Sequence, residues 1–293
     1  MFKSRLKLMK AMMLVAGIST PMFANCAFAA DEAPAIEPTP EWTFPINVGI
    51  VSDYIFRGQS QTWGKPAIQF GIEADHSSGL YAGFFISNVS GRWLPGATME
   101  NDYYGGFRGT LPGAASAVAF DVGAIYYVYP GANWKDSAFA GTPSNTLNTV
   151  EIYGSLTYDW LTFKSGITTT EYFGWDTHNS PVNGGFHGDL SAGVTGSTRG
   201  SYYYEFDAAK ELIPTWTFSG QLGRQIINNA TGLDITYYKV GVSKAFDGGW
   251  AVAGFFSGSN TPAAYQNFQS LGDTTTESDV AQNKVFASVS KSF

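Results

Sequence analysis

Along most of the chain, hydrophobic residues fall on every second position. From 44 to 57, Phe44, Ile46, Val48, Ile50, Tyr54 and Phe56 share one side of a two-residue repeat, with Asn47, Gly49, Asp53 and Arg57 on the other. Such alternation marks a strand with one face turned away from water. The period returns in 66–76, where Ile68, Phe70 and Ile72 oppose Gln69, Glu73 and Asp75, and in 100–110, where Tyr103 and Phe107 oppose Asp102, Tyr104 and Arg108. It continues through 116–128 (Val118, Phe120 and Val122 against Asp121), 148–158 (Val150, Ile152 and Leu156 against Glu151) and 160–173 (Leu161, Phe163 and Ile167 against Lys164). Segments 200–210 (Tyr202, Tyr204 and Phe206 against Glu205 and Asp207), 214–226, 234–246 (Val240 and Val242 against Lys239) and 283–293 repeat it. Two more runs leave their register open: 79–89 is apolar on both sides and 249–259 is mixed.

Connections after the odd-numbered strands are long, at 58–65, 90–99, 129–147, 174–199, 227–233 and 260–282. Those after even-numbered strands are short, as at Ser77-Ser78, Asp159 and Asp247-Gly248. An even strand count with long and short connections in alternation is how outer-membrane barrels are built, short turns facing the periplasm and long loops facing outward. A soluble sandwich has no reason to gather its long loops at one end. Trp42, Phe44, Tyr158, Trp160, Trp216, Phe246, Trp250 and Phe293 fall at the turn ends, and Tyr54, Phe56, Tyr126, Tyr172 and Phe173 at the loop ends, as two interfacial girdles. The predicted fold is all-β: a transmembrane antiparallel up-and-down β-barrel of about 12 strands over 42–293, with both termini periplasmic.

Ahead of the barrel, Lys3, Arg5, Lys7 and Lys10 precede a short apolar run and then Ala27-Phe28-Ala29. That order is a secretory signal peptide, 1–29, whose apolar run is too short to anchor the chain as a membrane helix. Residues 30–41, with Pro34, Pro38 and Pro40 among acids, read as a flexible periplasmic linker. Cys26 leaves with the signal, so no disulfide is expected. Only 14% of residues are charged, against about 25% in soluble domains, while 16% are aromatic and 34 are Gly. A mean hydropathy of −0.08 agrees, since only one side of each strand meets lipid. The net charge of −7 includes the basic signal, so the mature chain is more acidic and nucleic acid is not an expected partner. The expected address is the outer membrane of a Gram-negative cell. Expected partners are its lipid, small solutes or ions, and the barrel-assembly machinery, which would read the last strand ending in Phe293. No cofactor is implied.

Val51-Ser52-Asp53-Tyr54-Ile55-Phe56-Arg57-Gly58, followed by Ser60-Gln61-Thr62, resembles the TorF-family porins, bacterial proteins of unknown function. The resemblance continues through Pro66-Ala67-Ile68-Gln69, Gly79-Leu80-Tyr81-Ala82-Gly83, Ser87-Asn88-Val89, Asp102-Tyr103, Gly241-Val242-Ser243 and Val289-Ser290-Lys291-Ser292-Phe293. It covers essentially the whole mature chain, although 129–147 and 174–199 match no pattern. It implies an outer-membrane barrel and a channel, and brings neither an assigned substrate nor catalytic residues.

If the apolar faces meet lipid, the interior holds Asp53, Glu73, Asp75, Asp102, Asp121, Glu151, Glu205 and Asp207, with Arg57, Arg108, Lys164 and Lys239. Charge on the lipid side is costly, about 2–4 kcal/mol for Lys or Arg at the midplane. These are the candidate pore-lining residues. Eight acids against four bases either pair and fill the interior, or line a wet pore with a mild cation preference. Asp53 and Arg57, on one face at the outer mouth, form either a charged constriction or, preferably, an ion pair that pins register. Among the histidines, His187 lies too close to Asp189 and Ser191 on one loop to make a triad, and Asp176, His178 and His187 are a meagre metal set. No enzyme is expected. Function divides between a porin-like channel for passive diffusion of ions or small polar solutes and a non-conducting barrel displaying its loops for structure or adhesion. An outer-membrane enzyme is the third reading.

Overall fold

The computed structural model describes residues 40–138, 143–179 and 186–293. The expected signal peptide, 1–29, and linker, 30–41, lie outside the described residues apart from Pro40 and Glu41. Twelve antiparallel strands close into a ring: β1 (Ile46–Val51), β2 (Ala67–His76), β3 (Leu80–Asn88), β4 (Met99–Thr110), β5 (Val118–Val128), β6 (Thr149–Tyr158), β7 (Leu161–Thr168), β8 (Tyr202–Ile213), β9 (Trp216–Ile226), β10 (Ile235–Phe246), β11 (Trp250–Ser259) and β12 (Lys284–Ser292). Trp42–Thr43 adds a short pairing with the end of β2. Each strand pairs with its sequence neighbours, and β12 returns to β1 with Ser288 opposite Val51 and Ser292 opposite Asn47. Phe293 and Ile46 extend this seam with backbone hydrogen bonds of 2.9 and 3.5 Å. Closure leaves no strand edge, as hydrocarbon demands, because each unpaired backbone group there costs several kcal/mol.

Alternation sorts the faces. Ile50, Ile68, Leu80, Tyr103, Val122, Ile152, Phe206, Leu222 and Val240 are exposed on the outside, while Gln69, Glu151, Lys164 and Glu205 are buried on the inside. In water this arrangement would be inverted. A polar interior wrapped in an exposed apolar belt is the surface of a transmembrane barrel. The two strands of open register also resolve. In β3, Leu80 faces out and Tyr81, Phe85 and Ser87 face in. In β11, Trp250, Val252 and Phe256 face out and Ala253, Ser257 and Ser259 face in.

The turn end carries its expected girdle: Trp42, Phe44, Tyr158, Trp160, Phe246, Trp250 and Phe293 are exposed and Trp216 is half-buried. Lysine ammonium groups lie over several rings, Lys244 at 5.0 Å from Trp216 and Lys291 at 5.1 Å from Trp250. The loop end departs from expectation. Tyr126 is exposed, but Tyr54, Phe56 and Tyr172 are buried, with Phe173 packed against them. The cause is strand length: β1 stops at Val51 and β7 at Thr168, well short of 57 and 173, and the chain beyond each folds inward over the mouth. There the rings of four loops meet as a cap. Phe268 lies 4.7 Å from Trp93, 5.4 Å from Phe186 and 6.3 Å from Trp63, and Trp175 lies 6.1 Å from Phe186.

Candidate functional site

Beneath the cap, the chain leaving β1 makes a hairpin inside the barrel. Ile55–Phe56 pairs with Gln59–Ser60, leaving Arg57 and Gly58 as a two-residue tip. Both take positive φ, 45° and 79°, the conformation of a type I′ turn. A Cβ at position 58 would also come within 2.7 Å of the Tyr237 Cβ. Asp53 fastens the root: it accepts hydrogen bonds from Ser60 Oγ (2.5 Å), Thr62 Oγ1 (3.0 Å) and Lys284 Nζ (3.2 Å). From the tip, Arg57 crosses the lumen. Its Nη2 donates to both oxygens of Glu151 on β6 at 2.9 Å, and its Nη1 donates to Gln225 Oε1 on β9 at 2.6 Å. The guanidinium stacks 3.7 Å from the ring centroid of Tyr203 on β8. Only 1% of the Arg57 side chain and 3% of Glu151 are exposed.

Charge continues toward the turn end. Lys164 and Glu205 are buried opposite each other on β7 and β8, and the Tyr237 hydroxyl donates to Glu205 at 2.8 Å. Gln221 donates to Asp207 at 2.9 Å. Farther down, Arg108 pairs with Glu73 (2.5 Å) and Asp75 (3.0 Å) and lies 3.8 Å from the Tyr81 ring centroid. The Tyr81 hydroxyl donates to Asp121 at 2.7 Å and meets the Tyr153 hydroxyl at 2.5 Å. Side-chain exposure here rises to 23% for Arg108 and 26% for Asp75. Exposure therefore falls from the turn end to the level of Arg57, Glu151, Lys164 and Glu205, which are buried.

The walls follow a rule of neighbours. Tyr104 lies over Gly83, Tyr153 over Gly123, Tyr203 over Gly166, Tyr237 over Gly223 and Phe255 over Gly241, so that a Cβ at any of these glycines would collide with ring atoms. A ring beside a missing side chain lies against the wall instead of across the lumen. At the mouth, Glu171 clamps the far end of its loop by accepting from Ser197 Oγ (2.7 Å), Thr198 N (2.6 Å), Thr198 Oγ1 (2.8 Å) and Arg199 N (3.0 Å). Burial opposes the charge of Glu171, but these donors outweigh it and hold its carboxyl below the usual glutamate value.

Glu73, Asp75, Asp102, Arg108, Asp121, Glu151, Lys164, Glu205, Asp207 and Lys239 lie on the inward faces of strands, where alternation put them. Asp53 and Arg57 do not share a strand face and do not pair with each other, because β1 has already ended. Two further charges face inward: Glu100 has the parity of Asp102 and Lys284 the parity of Ser288, both within the expected strands 100–110 and 283–293. They bring the described interior to nine acids against five bases. Among the histidines, His76 joins Ser78 (2.7 Å) and Glu41 (3.1 Å) in an exposed chain that clamps the β2–β3 turn. His187 pairs with Glu277 at 2.7 Å while Ser191 donates to Asp189 at 2.6 Å, so these loop residues do not line up as a triad. Among the described residues no group of three or more His, Cys, Asp or Glu comes together to hold a metal.

The Gcw_chp family model, described as a bacterial protein of unknown function, matches residues 35–293. No curated protein matches the chain. Among solved structures, the chain is similar to the KdgM porin, with a TM-score of 0.46 at 9% identity over 85% of this chain and 99% of that one. It is similar also to the NanC porin, with a TM-score of 0.46 at 10% identity over 86% and 99%. A third is the COG4313 outer membrane channel from Pseudomonas putida F1, with a TM-score of 0.42 at 12% identity over 90% and 100%.

Proposed function

For this chain, which belongs to the Gcw_chp family of bacterial proteins of unknown function, we propose an outer-membrane channel whose conductance is set by the Arg57 bridge. The observation that carries this reading is the column of ionisable side chains from Arg108 up to Arg57, partly exposed at the turn end. A barrel serving only as an anchor is cheaper to fill with apolar side chains, since buried ion pairs contribute little net stability. The exposed apolar belt supports insertion in the outer membrane. Export by the 1–29 signal, a 30–41 linker, periplasmic termini, outward loops and assembly through the strand ending at Phe293 complete the reading. The resemblance to TorF-family porins falls wholly within the matched residues, which supports one kinship for both.

Passage is by diffusion and is limited to ions or small polar solutes, because Arg57, Glu151, Lys164 and Glu205 leave little room between them. Nine acids against five bases favour cations. A second reading, a non-conducting barrel that displays its loops, is favoured by the burial of that same level and by the aromatic cap. Single-channel recording in a planar bilayer separates the two. Small cation-selective steps are expected from the wild type and larger ones from Arg57→Ala. Folded protein in which neither conducts would establish the display role, and a reversal potential directed by anions would overturn the charge preference.

A further inference from the structure

Beside the Arg57 bridge, and outside it, β4 places Glu100 and Asp102 at successive inward positions near the mouth. Glu100 lies opposite Ser87 of β3, and Asp102 lies between Phe85 of β3 and Tyr127 of β5. Glu100 is 2% exposed and Asp102 is fully buried. Neither belongs to an ion pair among the described residues: Arg57 is bound to Glu151, Lys284 to Asp53, and Arg108 to Glu73 and Asp75. The hydroxyls of Tyr54, beside the inner hairpin, and Tyr129, in the loop after β5, hydrogen-bond Glu100. The Glu100 and Asp102 carboxyls are themselves within hydrogen-bonding reach of each other. Yet Glu100 Oε2 and both oxygens of Asp102 accept no hydrogen bond from any N–H or O–H donor among the described residues.

Two carboxylates in contact, out of water and without a base, need something positive between them. One shared proton engages a single oxygen of each and leaves acceptors unmatched. A metal ion engages several oxygens at once. We propose that Glu100 and Asp102 hold a divalent cation of the calcium class beneath the cap. Every nearby donor is a hard oxygen, which disfavours metals that prefer thiolate or imidazole. Two carboxylates balance a double charge. Calcium accepts irregular oxygen sets, whereas magnesium demands a near-ideal octahedron and keeps several waters. The site ties β4 to the inner hairpin and to the cap through Tyr54 and Tyr129, and it stands whether or not the barrel conducts.

Terbium is the probe, added to the full barrel in detergent, with heat-modifiable migration as the check on folding. Expected is terbium emission sensitised by the neighbouring tyrosines, displaced by calcium and not by equal magnesium, and lost in the Glu100→Gln, Asp102→Asn double variant. Calcium should also raise the melting temperature of the wild type alone. Emission unchanged in a folded Asp102→Asn variant would overturn the proposal. If the variants do not fold, the wild-type melting comparison decides: a rise with calcium and not magnesium supports the site, and no such rise overturns it.

Discussion

Arg57 meets a carboxylate, an amide and two rings at once, and each contact depends on the others for its geometry. Removing the guanidinium leaves Glu151 charged and buried without its bidentate partner, so Arg57→Ala should destabilise the barrel by about 3–5 kcal/mol. Arg57→Met with Glu151→Leu removes both charges and should recover most of that loss; urea unfolding in detergent micelles measures both, and equal losses would refute the account. Glu171 gives a prediction in pH. Its carboxyl is held below the ordinary 4.5 of glutamate, so its contribution is complete above that value and is lost as pH falls through the lower, folded value. Limited proteolysis should therefore open the 169–201 loop in acid, and Glu171→Gln should open it at neutral pH. Single positions were unevenly legible. The identity of Arg57 as an interior charge could be read, but its place could not, because a hairpin arm and a strand are both extended and alternate alike.

At the scale of elements, β1 is the shortest strand of the ring, six residues, and it is half of the closing seam. Its pairing with β12 is prolonged at the turn end by the hydrogen bonds between Phe293 and Ile46, and at the loop end by Ser52 N donating to the Ala287 carbonyl at 2.9 Å. Deleting Phe293, which removes its backbone bonds along with the ring, should accordingly lower the yield of heat-modifiable barrel, and normal yield would count against a role in closure. Strand positions were legible wherever one face is apolar and the other polar, as in β6 and β8. They blurred in β3 and β11, where small inward residues such as Ala253 leave no polar contrast. The turns were legible too. Gly79, for instance, takes φ +99° in the β2–β3 turn.

For the whole molecule, the alternation of long and short connections carried the topology from sequence to ring. The cap was not legible, because Trp93, Phe186, Tyr265 and Phe268 sit in segments without any period and meet only in three dimensions. These rings are buried in that packing or close to it, but Leu190 stands 88% exposed. Protease applied to intact cells should cut near Leu190 and spare the short turns; cleavage confined to the turns would reverse the orientation. The bridge across the lumen has a mechanical meaning as well. A hoop of twelve strands resists stretching along its hydrogen bonds but flattens readily, since flattening only changes the angle between neighbours. A spoke from the β1–β2 side to β6, β8 and β9 fixes one diameter. The roundness of the hoop then depends on one guanidinium, and a barrel without it is a softer object even where every strand is in place.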